Sequence, residues 1–148
     1  MSSPERHLGF LLADINRLAR KEFDRRVRPL GLTRAQWMFL YYLGRRPGAT
    51  QSELAEELQL EKITISRQAE RLERAGWIRR REDRHDGRAY RLRLTARAAR
   101  TVNRLARLAD RLRLDYLRGV PPSRRGALVD DLSRIKANLL EMEGVPAR

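Results

Sequence analysis

A mainly α fold of the α+β class is predicted for this chain, with a series of helices interrupted once by a two-stranded hairpin. Three observations predict it. Apolar residues recur at the helical spacing of about 3.6 along most of the 148 residues. The period changes to two only around Tyr90–Leu94, where Tyr, Leu and Leu alternate with Arg. Capping residues and glycines then divide the helical stretches into six, four before the hairpin and two after it.

Ser3 followed by Pro4 predicts an N-cap and a first helical residue. The helix behind them carries Leu8, Leu11, Ile15, Leu18, Ala19 and Phe23 in register and ends near Arg28-Pro29. Thr33 and Gln36 form a capping box that opens a second helix, Trp37 to Leu43, with Gly44 expected to close it. After the loop Arg45–Gly48, Thr50 and Glu53 form a second box, starting a short helix that turns Leu54, Ala55 and Leu58 inward. A tight connection at Gln59–Glu61 leads into a fourth helix from Lys62 to Ala75, stopped by Gly76, with Ile65, Ala69 and Leu72 as its buried stripe. Trp77-Ile78 begins the first strand, and Asp86-Gly87 is the turn signal between the strands. Thr95 is expected to cap a long helix to about Leu117, stopped by Gly119 and Pro121-Pro122. Ser123 is expected to cap the last helix, whose seam is Leu128, Leu132, Ile135, Leu139 and Met142. No internal repeat or low-complexity tract interrupts this order.

Composition narrows the partner. Thirty-three Lys and Arg stand against 19 Asp and Glu, a formal charge of +14. Residues 62–100 hold 13 basic and 5 acidic side chains, net +8, more than half of the surplus. A surplus concentrated in this way predicts a localised face for a polyanion. The absence of Cys excludes disulfides, thiolate metal sites and thiol redox sensing. Two isolated histidines, His7 and His85, cannot build a zinc centre, and no metal or other cofactor is expected. The longest apolar run, Trp37–Leu43, is far short of a membrane span. The start, Met-Ser-Ser-Pro, carries no leader pattern, so the expected location is the cytoplasm, at the nucleoid.

The third and fourth helices, joined by a short turn, make a helix-turn-helix, with Ala55, Leu60 and Ile65 at its small, turn and core positions. Its second helix turns Ile63, Thr64, Arg67, Glu70 and Arg74 away from the buried stripe. Thr64, Ser66, Arg67, Gln68 and Arg71 are candidates for base edges or phosphates, since Arg reads guanine and Gln reads adenine by forked contacts. An ordinary solvated helix face would show the same residues. The hairpin that follows makes the unit a winged helix-turn-helix: its tip carries Arg84 and Arg88 for an adjacent minor groove, and Asp86 is the natural brace for the Arg88 side chain. The expected DNA-binding set is Ser52, Lys62, Thr64, Ser66, Arg67, Gln68, Arg71, Arg84 and Arg88.

Asp86-Gly-Arg88 followed by Leu92-Arg-Leu94-Thr95 resembles the wing signature of the MarR family of regulators. Further matching residues are Leu32-Thr33 and Trp37, Leu54-Ala55 and Leu58, and Ser66-Arg67 through Arg71-Leu72-Glu73 to Gly76. The resemblance covers about residues 8–142 and is most similar to the SlyA branch. Gln59 and Gln68 depart from it, standing where Gly and an apolar residue are common. The resemblance implies a homodimeric winged-helix transcription regulator, usually a repressor, in which the first and last helices form the dimer and the fourth helix and wing bind a pseudo-palindromic operator. It also implies a small-molecule pocket. The candidates here are Arg17, Arg20, Trp37 and Phe39, a set suited to an aromatic or amphipathic, possibly anionic, effector.

On this reading residues 31–95 are the DNA-binding domain, and 1–30 with 96–148 are the helical dimerisation region. A dimer has a separate basis in the residues. Leu8 to Phe23, Leu105, Leu108, Leu112 and the final seam exceed what a winged helix can cover, and a two-fold axis would set two recognition helices roughly 34 Å apart. Enzymatic function is not expected, for want of a phosphate loop, nucleophile or cofactor turn. The competing reading is a non-specific nucleoid-associated or RNA-binding protein, which the charge alone would permit. A membrane-surface binder fails because the charge concentrates on a helix–hairpin unit and not along one helical face.

Overall fold

The computed structural model describes residues 5–144, so the expected Ser3-Pro4 cap lies outside the described residues. The chain divides into two compact units, Met1–Leu112 and Arg113–Arg148. In the first, α1 (Glu5–Val27) runs into a single 3-10 turn, Arg28–Leu30, with Gly31 left-handed at its end. Next come α2 (Arg34–Arg45), α3 (Gln51–Leu58) and α4 (Lys62–Arg74). Strands β1 (Ile78–Glu82) and β2 (Tyr90–Leu94) pair antiparallel, Ile78 opposite Leu94 and Glu82 opposite Tyr90. The long helix α5 (Ala96–Tyr116) follows, and its final turn opens the second unit, which continues into α6 (Pro122–Met142).

Both capping boxes form as expected. The Thr33 and Thr50 hydroxyls accept from the amides of Gln36 and Glu53, whose side chains accept from the Thr amides in return. Thr95 does double duty: its oxygen accepts from the Ala98 amide at the start of α5, and its hydroxyl donates to the Gly76 and Trp77 carbonyls beneath β1.

One core unites the first unit. Phe39, Leu40 and Leu43 of α2 meet Leu54 of α3, Ile65, Ala69 and Leu72 of α4, Ile78 and Leu92 of the strands, and Ala98, Leu105 and Leu112 of α5. The C-terminal end of α1 joins it through Phe23 and Val27. The α2–α3 loop adds a rung to the sheet, with Gly48 N donating to Leu92 O and Leu92 N to Ala49 O. This rung ties the hairpin to the helices below it.

Three local expectations are corrected. Gly44 does not close α2, which continues to Arg45. A Cβ at Gly44 would lie 2.8 Å from Val102 Cγ1, so this glycine permits close approach of α5. Ser123 does not cap α6, because Pro121 holds the N-cap position and Pro122 opens the helix with no side-chain cap. Arg125 instead reaches back to the Val120 and Leu117 carbonyls. The Asp86-Gly87 turn forms within the longer loop Asp83–Ala89, with Ala89 N donating to Asp86 O, and Gly87 does not take a positive φ. Leu60, expected at the apolar turn position, is exposed.

In the second unit no residue of α6 is buried, and Leu128, Leu132, Leu139 and Met142 of the expected seam are exposed. Along α1, Leu8, Leu11, Ile15 and Leu18 form a second exposed apolar row. Among the described residues no helix is long and apolar enough to cross a membrane.

Candidate nucleic-acid interface

The turn between α3 and α4 is a Schellman-type closure: Leu60 N donates to Ala55 O, and Gln59 takes the left-handed conformation at φ 53°. Gln59 holds that conformation without being glycine, at a cost of about 1 kcal/mol. The closure starts α4 at Lys62 with Glu61 as a backbone-only cap. Burial of Ile65, Ala69 and Leu72 then fixes the rotation of α4. Lys62, Ile63, Thr64, Arg67, Arg71 and Arg74 are left exposed, while Ser52, Ser66 and Glu70 are half-buried.

Gln68 belongs to the inner side, between Ile65 and Leu72. Its Oε1 is sealed from solvent and has no hydrogen-bond partner. A carboxamide held in this way cannot offer adenine the forked contact expected from the sequence without turning over.

Two carboxylates outside the expected DNA-binding set hold the wing. Glu73 of α4 accepts from the Arg80 amide at 3.1 Å and from Arg80 Nε at 2.6 Å, joining the recognition helix to β1. The Arg80 guanidinium also lies 5.5 Å from the Tyr90 ring centre on the opposite strand. Asp83, only 8% exposed, directly follows β1. Its Oδ1 accepts from the His85 amide at 2.8 Å, and its Oδ2 from Arg91 Nε at 2.7 Å. Arg91 reaches on to the Gly48 carbonyl at 2.9 Å. The His85 amide, and then the Arg91 charge, hold the Asp83 carboxyl below the usual carboxylate range against the opposing effect of burial. The sequence signal for Asp83 was weak, since an Asp at a strand end reads as turn chemistry.

At the tip, Ala89 N donates to Asp86 O and Arg88 N to the Asp86 carboxylate, both at 3.0 Å. Asp86 therefore braces the Arg88 backbone and not its guanidinium, a correction to the expected side-chain brace. Arg84 and Arg88 are exposed. Register adds a feature the pattern alone did not express. Arg79 faces Arg93 and Arg81 faces Arg91, so one side of the wing is a block of four arginines with Asp83 as their internal counter-charge. Like charges directly opposite are unfavourable by a few tenths of a kcal/mol to about 1 kcal/mol per pair, and a bound polyanion relieves them. At the base of the hairpin, the Arg97 guanidinium stacks 3.9 Å from the Trp77 ring centre.

The expected effector residues are not brought together around one opening. Phe39 is fully buried in the core. Trp37 is half-buried, donates to the Asp24 carboxylate at 3.0 Å and meets Phe23 edge-on at 4.7 Å. Arg17 is exposed and pairs with Asp14 at 2.9 Å, and Arg20 is exposed. A cleft of about 640 Å³ beside the last turns of α1 contains none of the four; Lys21, Arg25, Arg28 and Arg34 line it together with Glu22 and Asp24.

The MarR family model matches residues 30–89, from the end of the 3-10 turn to the wing loop just before β2. The chain is similar to transcriptional regulator PA3341, at 37% identity over 90% of this chain and 98% of that one, with a TM-score of 0.79. It is also similar to a MarR structure, at 29% identity over 97% and 98% with a TM-score of 0.78. The transcriptional regulator SlyA is similar at 27% identity over 88% and 94%, with a TM-score of 0.75.

Proposed function

Since the chain belongs to the MarR family, we propose that it is a homodimeric, sequence-specific DNA-binding transcription regulator that acts by binding and not by catalysis. The observation that carries the reading is the joint presentation of α4 and the wing. Thr64, Arg67 and Arg71 face outward from a helix whose rotation the core fixes, and Glu73 locks that helix to the Arg-bearing hairpin. A helix of this kind fits the major groove, while Arg84 and Arg88 at the tip suit the adjacent minor groove. Lys62 supplies a phosphate contact, with Ser52 and Ser66 as partly exposed hydroxyl donors beside it. The exposed apolar rows of α1 and α6 support a dimer, since each leaves several large side chains in water. Two-fold symmetry would then match a pseudo-palindromic operator.

Repression released by a small aromatic or amphipathic anion completes the proposal. Arg17, Arg20 and the half-buried Trp37 are its nearest candidates, and a ligand reaching Phe39 would have to open the core. Effector-linked shifts of this kind are typically worth about 1–3 kcal/mol.

The test is a fluorescence-anisotropy titration against DNA flanking the protein's own gene, with random duplex as control and salt varied. A preference of about 10³-fold or more for the flanking DNA is expected, and the Arg88→Ala variant should weaken binding broadly. Equal affinity for both duplexes with a steep salt slope would favour a non-specific nucleic-acid coat.

A further inference from the structure

Among the described residues between Ala19 and Arg113, only Leu60, Ile63 and Tyr90 are large apolar side chains left exposed. All three belong to the helix-turn-helix and hairpin. Tyr90 lies against the Arg80 guanidinium, and Leu60 sits in the turn. Ile63 stands alone in the first turn of α4, 60% exposed, with Lys62 and Thr64 beside it and Arg67 one helical turn further along the same face. It is directed away from the stripe of Ile65, Ala69 and Leu72, so it contributes nothing to the core.

A branched alkyl group on an otherwise cationic and hydroxylated helix end is a poor match for water and for phosphate alike. It does match one feature of the major groove, the thymine C5-methyl group, which marks a thymine in a T·A pair by apolar contact alone. The first turn of a recognition helix is the part that reaches base edges. Ile is also suited to this in its own right. Branching at Cβ holds its χ1 in one rotamer within a helix, so its methyl surface is presented at little entropic cost.

We propose that Ile63 is a specificity-determining residue that reads a thymine methyl in each half-site. This rests on the DNA-binding reading above and names one base contact within it.

The test begins with selection of duplexes from a random library by the wild-type protein. If no recurrent motif is enriched, the DNA-binding reading itself fails, and this inference with it. Given a motif, each thymine is replaced by uracil, which removes the methyl and leaves the pairing edge intact. At least one thymine per half-site is expected to lose about fourfold in affinity, the equivalent of one buried methylene. That loss should be absent in Ile63→Ala and retained in Ile63→Val, with helicity of both variants checked by circular dichroism. A selected site in which no uracil substitution weakens wild-type binding overturns the inference while leaving the regulator reading intact. A uracil effect of equal size in Ile63→Ala overturns it as well.

Discussion

Single side chains in this protein do work that their residue type does not announce. Gln68 sits on the recognition helix and looks like a base reader, yet its Oε1 is enclosed without a partner. An unpaired buried oxygen costs about 1–3 kcal/mol, so Gln68→Leu is expected to raise the urea midpoint, by about 1 kcal/mol in stability, and to leave base preference unchanged. Urea denaturation and binding-site selection on the variant check the two halves. A shifted base preference would show that the carboxamide turns outward on DNA. Gly44 is comparable. It reads as a helix stop and is a contact surface instead, because a Cβ there would collide with Val102. Asp83 and Asp86 invert expectation too: the buried Asp83 organises the loop end of the wing, and the exposed Asp86 secures only a turn amide.

At the scale of elements, the wing is a two-stranded ribbon that would be marginal alone. It is held by Glu73 from α4, by Asp83 with Arg91, and by the Gly48–Ala49 rung from the α2–α3 loop. Against these stand the facing pairs Arg79–Arg93 and Arg81–Arg91. Replacing the first pair by threonines, Arg79→Thr with Arg93→Thr, removes a repulsion and installs a pair well suited to a sheet. Stability of the free protein is expected to rise by about 0.5–1 kcal/mol. DNA affinity should fall on all sequences alike, with a salt slope lower by up to about 2, one for each phosphate that an arginine no longer neutralises. Thermal melts and anisotropy titrations at several salt concentrations check this. Unchanged affinity would place this side of the ribbon away from the phosphate backbone.

For the whole molecule, the dominant quantities are its charge of +14 and the carboxylates that offset it. Hydrogen bonds from Arg25 and then Arg26 hold the Glu22 carboxyl down to about 2. Arg34 and then Trp37 lower that of Asp24, and the His85 amide and then Arg91 lower that of Asp83. In the unfolded chain these groups titrate near 4. Their contribution is therefore complete above that value and is lost as the unfolded state takes up protons first. The urea midpoint is expected to stay level from pH 7 to about 5 and to fall steadily from about 4.5 towards 2. Rising net charge deepens the fall. The double variant Glu22→Gln, Asp24→Asn should flatten it, and an unaltered acid limb in that variant would assign the loss elsewhere.

The sequence by itself determined the order of elements, both threonine capping boxes, the buried stripe of α4 and the concentration of positive charge on residues 62–100. These depend on neighbours within a turn or two, where spacing and local hydrogen bonding decide the outcome. The family resemblance was equally legible, because its wing and helix residues lie close together along the chain. What only the tertiary structure decided are the pairings between distant segments. Glu73 meets Arg80 across a helix–strand corner, Arg91 spans the wing to Gly48, and Gly44 lies against Val102. The packing of Gln68 and Phe39 belongs to the same class. Whether a side chain faces DNA, a ligand or the core depends on what packs across from it, and helical period alone gives the angle of a residue without the identity of its neighbour.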